Sequence, residues 1–340
     1  MYERPAKSAT PARRRFVRTA VAAGVATLGA LAGASVGAPA HAADAWPDRP
    51  IRLIVPYPPG GPVDQLGRAI APALGEKLGQ SVVIENKSGA GGSIGLDATI
   101  RATPDGYTFG FGVPGAIAVL PHLQKVPYDP AKIEYLTTVA RVPQVIVASP
   151  GFAGKDLKDL IAIAKKSPGK LNYASAGKAT TTHLGAELLS QEAGIQMVHV
   201  PYKGATPAVT ALLGNEIDLF AADFPAVRAF LPKGIKVLAV SGSKRIASLP
   251  DVPTTAEMGL PGVSVEGNYG IVAATGTPEP IKRKMYDALR AVLAMPEIRA
   301  RIEGLGASPE PSTPEEYRAL MESESKKWGA VIGKAGITLN

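Results

Sequence analysis

Between residues 51 and 240, short apolar runs alternate with amphipathic helical stretches. A chain with that alternation folds as α/β, with helices joining strands into largely parallel sheets. The expected strands are residues 51–55, 82–85, 107–112, 145–148, 171–174, 198–200, 217–221 and 237–240. Between them, Leu66, Ile70, Leu74 and Leu78 fall four apart and form one buried helical stripe, and Leu157, Leu160, Ile161 and Ala164 form another. Residues 263–274, "VSVEGNYGIVAA", read as a further strand. The last third then holds two long helical stretches with no strand between them. The second opens with Thr313 as N-cap, Pro314 at the first helical position and Glu316 closing a capping box. At 340 residues the chain is long enough for two domains, yet no flexible linker interrupts it. The chain is therefore expected to cross between domains on ordered segments, near residues 140–144 and at Gly267.

The first 42 residues read as an export signal rather than as part of the fold. A basic start that includes Arg13, Arg14, Arg15 and Arg18 precedes an Ala/Gly/Val-rich middle, and Ala40-His41-Ala42 supplies a small-residue cleavage pattern. The arginines also resemble a twin-arginine signal. An uncleaved membrane anchor over residues 19–36 is the alternative, and its low content of Leu, Ile and Phe disfavours it. Of the net charge of +8, this leader carries five, so the remainder has an ordinary +3 and no basic–aromatic block. Nucleic acid is set aside as a partner. There are no cysteines, which removes disulfides, thiolate metal sites and thiol nucleophiles. The four histidines form no close pair, so neither a metal nor a cofactor is expected.

Two strand-to-helix junctions stand out. In "VPYPPGGPVD", residues 55–64, an apolar strand runs into prolines and a double glycine that opens a helix. Such a start points backbone N–H groups and partial positive charge at one spot, which makes it a candidate anion cradle. In "LNYASAGKATTTHLGAELL", three consecutive threonines begin a helix, more hydroxyls than capping requires. Both are equally consistent with plain turns when taken singly. Two other patterns are weaker. Residues 110–115 satisfy G-x-G-x-x-G, but Pro114 lies inside and Pro121 cuts the next segment short. Ser93 sits in a G-x-S-x-G pattern without the strand that a nucleophile elbow needs.

Taken in order, the motifs resemble those of the Bug family, the periplasmic solute-binding receptors of tripartite tricarboxylate transporters. The matching segments are "WPDRPIRLIVPYPPGGPVD", "VVIENKSGAGGSIG", "TPDGYTFGFG", "PHLQKVPYDP", "PGKLNYASAGKATTTHLGAELL", "VHVPYKGATPAVTALLGNEIDL", "LAVSGSKRIASLPDVPTTAEMGLPG" and "KWGAVIGKAGI", spanning nearly all of residues 46–337. The resemblance implies a two-domain, hinged type II periplasmic binding protein (a Venus flytrap), each domain a mainly parallel sheet flanked by helices. Residues 43–142 with 268–340 would form one domain and residues 143–267 the other. A small carboxylic acid would lie between them, with no catalysis.

Carried onto this sequence, the first-domain contacts would be Tyr57, Pro59, Gly60, Gly61 and Asp64, with Val113 and Pro114. The second-domain contacts would be Ser175, Gly177, Thr180, Thr181 and Thr182, with His183 beside them and Asp223 on a loop that varies with ligand. Lys178 stands where the family carries Asn or a small residue, and it would add a cation for a second carboxylate or remain a solvated surface lysine. "SVEGNYGIVAATGTP" lacks the family's tryptophan beside the cleft, and "FGVPGA" trades hydroxyls for Val113 and Pro114. The implied partners are the membrane subunits of such a transporter or, alternatively, a sensory membrane protein, with the receptor itself a monomer. An exported serine hydrolase using Ser93 is the remaining rival.

Overall fold

The computed structural model describes residues 46–242, 244–335, 337 and 338. The expected leader over residues 1–42 lies outside the described residues.

Strands β1 (Ile51–Val55), β2 (Val82–Asn86) and β3 (Thr108–Gly112) are mutually parallel, with β1 between the other two. Helix α1 (Pro62–Leu78) connects β1 to β2, and α2 (Ser93–Ile100) connects β2 to β3. Helix α1 forms where expected. Pro62 sits at its first position, Gly79 ends it in the left-handed conformation, and Leu66, Ile70, Leu74 and Leu78 are all buried. Each such side chain contributes about 1.5–3 kcal/mol by leaving water.

The long strand β4 (Glu134–Ala148) joins this sheet to a second one. Its first part pairs antiparallel with β9 (Glu266–Ala273), which is itself antiparallel to β3. From Gln144 onward it pairs antiparallel with β7 (Leu219–Asp223) on one side and β8 (Lys236–Ser241) on the other. Beyond β7 lie β5 (Asn172–Ser175) and β6 (Val198–Pro201), both in parallel pairing. The parallel arrangement expected from the sequence therefore holds among β1, β2 and β3 and among β5, β6 and β7, while β4 runs against β7, β8 and β9, and β9 against β3. The apolar pattern marks only residues 145–148 of β4 as strand. Its earlier residues include Thr137, Thr138, Arg141 and Pro143, which break the apolar run, and register shifts near Thr137 and Ala140 disturb the alternation.

Around the second sheet, α3 (Leu157–Lys166), α4 (Thr181–Ala193), α5 (Ala205–Leu213) and α6 (Phe224–Arg228) pack against its faces. The C-terminal part returns to the first sheet. It comprises α7 (Glu279–Ala294), α8 (Pro296–Gly304), β10 (Ser308–Pro309) and α9 (Pro314–Ala335). This differs from the two long helices without a strand that the sequence pattern suggests. Met295 adopts an extended conformation that ends α7 and starts α8, and β10 pairs with Ala140 and Arg141 of β4. The capping box at α9 is formed in both directions, Glu316 N–H to Thr313 Oγ1 and Thr313 N–H to the Glu316 carboxylate. Trp328 of α9 is fully buried against Leu120, Leu184 and Val265, so this helix contacts elements of both sheets. Trp328→Ala would cost about 3–5 kcal/mol.

Candidate functional site

The turn between β1 and α1 is braced from behind by a buried carboxylate. Asp64 is 2 % exposed and accepts hydrogen bonds from the Gly60 N–H (2.9 Å), Arg68 Nε (2.9 Å) and Asn86 Nδ2 (3.0 Å). Asn86 also donates to the Tyr57 carbonyl at 3.0 Å. Burial alone would raise the Asp64 carboxyl, but hydrogen bonds from Arg68, Gly60 and Asn86 outweigh it and hold the group below its ordinary value. Gly60 adopts φ +84°, a conformation that suits glycine. Its N–H is thus already engaged, and the helix start that remains, Gly61 and Val63, has no side-chain cap.

The threonine-rich turn is braced differently, by neutral groups. Thr180 caps α4, its Oγ1 donating to the Gly177 carbonyl (2.7 Å) and lying 2.8 Å from Thr182 Oγ1. Thr182 Oγ1 accepts from the Ala176 N–H at 2.9 Å. Beneath this turn His183 stacks on His199 (ring centroids 4.0 Å apart), and His199 stacks on Tyr173 (4.9 Å). Ser175 Oγ pairs with His199 Nε2 at 2.7 Å and accepts from the Gly177 N–H. Burial, then His199 and Lys178, lowers the His183 pKa to about 3. Burial and Lys178 lower that of His199 to about 4. Both rings are neutral at pH 7.

These two turns, from different sheets, face one small chamber of about 30 Å³. It is lined by Tyr57, Gly61 and Val63 on one side and by Thr180, Thr181 and Thr182 on the other. At its back stand Asp223, the last residue of β7, and Tyr269 of β9. Asp223 is buried and accepts hydrogen bonds from Tyr269 Oη and from Gln144 Nε2 (3.3 Å). Burial pushes its carboxyl up to about 6, and the hydrogen bonds from Tyr269 and Gln144 only partly oppose this. Burial, followed by the nearby Asp223, likewise raises the Tyr57 phenol. The chamber continues outward at Tyr57, Pro58 and Ala176 into a groove of about 600 Å³ that includes Gly177, Lys178 and Lys203. At the rim the backbones approach closely: a Cβ on Gly91 would lie 3.1 Å from the Lys178 carbonyl, and one on Gly115 would lie 3.2 Å from that of Ala179.

Of the residues singled out in the sequence, Tyr57, Gly61, Thr180, Thr181, Thr182 and Asp223 come together in the chamber. Gly177 and Lys178 line the outer groove, where Lys178 is exposed. Pro59 and Gly60 lie on the turn and line neither space. Other singled-out residues lie elsewhere. The Asp64 carboxylate is committed to holding the turn rather than facing the chamber. Val113 belongs to the apolar core of the first sheet and Pro114 is also buried, and neither lines the chamber. Ser175 and His183 lie under the threonine turn, supporting it without lining it. Tyr269 and Gln144 stand at the site although no sequence motif marks them as contacts. The one signal for Tyr269 is its place in "EGNYG", the segment that lacks the family's tryptophan. Among the described residues, the histidines that a Ser93 nucleophile would need are engaged elsewhere: His183 and His199 in the stack, His122 with Ser325 Oγ at 2.8 Å.

Two sheets sharing a long strand, with helix starts from both facing one chamber, define the class of periplasmic solute-binding proteins. Within that class, the sequence profile of the tripartite tricarboxylate transporter family receptor, TctC, matches residues 66–337, and the chain belongs to this family. It is 35% identical over 317 residues to the protein BugT of Bordetella pertussis, covering 91% of this chain and 96% of that one. Among solved structures, it resembles an R. palustris protein with adipate (TM-score 0.83, 34% identity), covering 86% of this chain and 99% of that one. It also resembles MatC from Rhodopseudomonas palustris with bound malate (TM-score 0.80, 31% identity), covering 84% of this chain and all of that one. The family is one of transport receptors, not enzymes, and a further solved relative at 35% identity is the periplasmic binding protein BugD (TM-score 0.81), covering 86% of this chain and 99% of that one.

Proposed function

We propose that the protein clamps a small carboxylic acid between its two sheets and delivers it to the membrane subunits of a tripartite tricarboxylate transporter. The observation that carries this reading is the convergence of two helix starts, residues 61–63 and residues 180–182, on one chamber. Relatives solved with adipate and malate support the ligand class. Among the described residues, neither Arg nor Lys lines the chamber. The carboxylate is therefore held by backbone N–H groups, threonine hydroxyls and bridging water.

Residues 43–142 with 268–340 form one lobe and residues 143–267 the other. They hinge where β4 leaves β9 for β7, at residues 140–144, with Gly267 on the second crossing. The chamber has room for water but not for an organic acid, so the lobes part to admit the ligand and close over it. Only the closed form lets both turns donate to the acid, which is why binding favours closure. The membrane subunits read that closed form. The leader is removed after Ala42, and the mature receptor works as a periplasmic monomer.

A thermal-shift panel of carboxylic acids and their amides tests the reading. A binder at 100 times its dissociation constant adds about 2.7 kcal/mol. A raised Tm with an acid and none with its amide is the expected result; equal shifts for both would reject a carboxylate clamp. Gly60→Val forces a β-branched residue into φ +84° and should abolish binding while the fold persists. Retained micromolar affinity in that variant would count against the β1–α1 turn as half of the clamp.

A further inference from the structure

The chamber proposed to hold a carboxylate already contains one. Asp223 is 5 % exposed and lines the space, with no Lys, Arg or His among the described lining residues. An ionised carboxylate has about four acceptor positions. Two on Asp223 are taken, one by Tyr269 Oη and one by Gln144 Nε2 at 3.3 Å, and both partners are neutral. The Gln144 amide is turned so that it donates to Asp223, which leaves its own Oε1 buried without a hydrogen-bond partner. The nearby cations face elsewhere: Arg68 is engaged by Asp64, and Lys178 and Lys203 line the outer groove. Asp223 is thus a buried acidic group whose surroundings supply hydrogen bonds but no positive charge.

A simple carboxylate entering this chamber would face Asp223 at close range in a poorly solvated space, where like charges repel strongly. Resting on the carboxylate-clamp reading, we propose that the ligand is a zwitterionic amino acid. Its carboxylate lies against the starts of α1 and α4, and its ammonium pairs with Asp223 and fills the carboxylate's open acceptor positions. Tyr269 and Gln144 then hold Asp223 in position from behind. The burial that raises the Asp223 carboxyl to about 6 is offset once an ammonium is beside it, so the bound state keeps Asp223 ionised. The other titratable groups facing Asp223 are the phenols of Tyr57 and Tyr269, which stay neutral across the working range.

The test is calorimetric titration of the purified protein at pH 7. The probes are the common L-amino acids and, for each, the acid lacking the amino group, such as L-aspartate against succinate and L-glutamate against glutarate. The expected result is a tightest amino acid that binds at least about 30-fold better than its partner acid, the scale of a desolvated charge pair. Asp223→Asn should shrink that ratio to about 3-fold or less by weakening the amino acid, and by tightening the partner acid. The wild-type ratio needs no variant, so a folding defect in Asp223→Asn leaves the test intact. A partner acid that binds as tightly as its amino acid overturns the zwitterion proposal while the carboxylate clamp stands. No binding by any member of either series overturns both.

Discussion

Asp64 and Asp223 are both buried carboxylates at the ends of turns that shape the chamber, and their surroundings push them in opposite directions. Asp64 receives a guanidinium, a backbone N–H and a carboxamide, and is held below its ordinary pKa. Asp223 receives a phenol and a carboxamide, and burial pushes it up to about 6. The first is a compensated charge that stabilises the fold; the second is held at a cost to the fold. A buried group left without a counter-charge in a cleft is a functional candidate, and the contrast separates a bracing residue from a candidate ligand contact although both are acids beside a helix start.

The largest effect that could break this contrast is Asp64→Ala. It removes three hydrogen bonds, one from a guanidinium, and should destabilise the protein by about 3 kcal/mol. A change below about 0.5 kcal/mol in urea denaturation would mean the turn does not depend on its carboxylate. Asp223→Asn should act in the opposite sense, raising the stability of the unliganded protein at pH 7 by about 3 kcal/mol. Destabilisation there would show that Asp223 is a structural group like Asp64.

The pH dependence carries the same opposition. Because the Asp223 pKa is raised on folding, its contribution is most favourable below about pH 4 and is lost as pH rises through about 6. Because the Asp64 pKa is lowered, its contribution is present above about pH 4 and is lost as pH falls through the folded value. Asp223→Asn should therefore flatten the stability profile between about pH 4 and 6 without changing the acid limb. A profile that keeps its slope there assigns the titration to another group.

Smaller effects sharpen the comparison of the two turns. His199→Phe deletes the partner of Ser175 Oγ while keeping a ring in the stack, and should cost about 1 kcal/mol and loosen ligand binding. An unaltered melting curve and affinity would show that the histidine is mere packing. Lys178→Ala, in the outer groove, should weaken acids with a second carboxylate by about 3-fold and spare those with one. Equal losses for both kinds would place the lysine outside the ligand's reach.

Much of this is legible from local sequence. Strand β1, its proline–glycine turn and α1 follow from adjacent residues, and so does the Thr180 cap of α4. Local sequence hides the pairs that the fold brings together from afar. Asp223 meets Tyr269 across 46 positions and Gln144 across 79. No local pattern encodes those pairs. His183 lies under the turn for a different reason. Successive helical residues turn about 100°, so two positions after Thr181 the side chain points to the far side of the helix. The first part of strand β4 is hidden because its pairing partners β9 and β10 lie more than 100 residues away, and its irregular register erases the alternation that marks a strand.

A crystal structure of the protein with its tightest-binding acid would show whether both turns hold the ligand. The ligand carboxylate is expected in the inner chamber, within hydrogen-bond distance of both the turn at residues 61–63 and the turn at residues 180–182. A ligand held solely in the outer groove by Lys178 and Lys203, or touching one turn and not the other, would contradict the clamp.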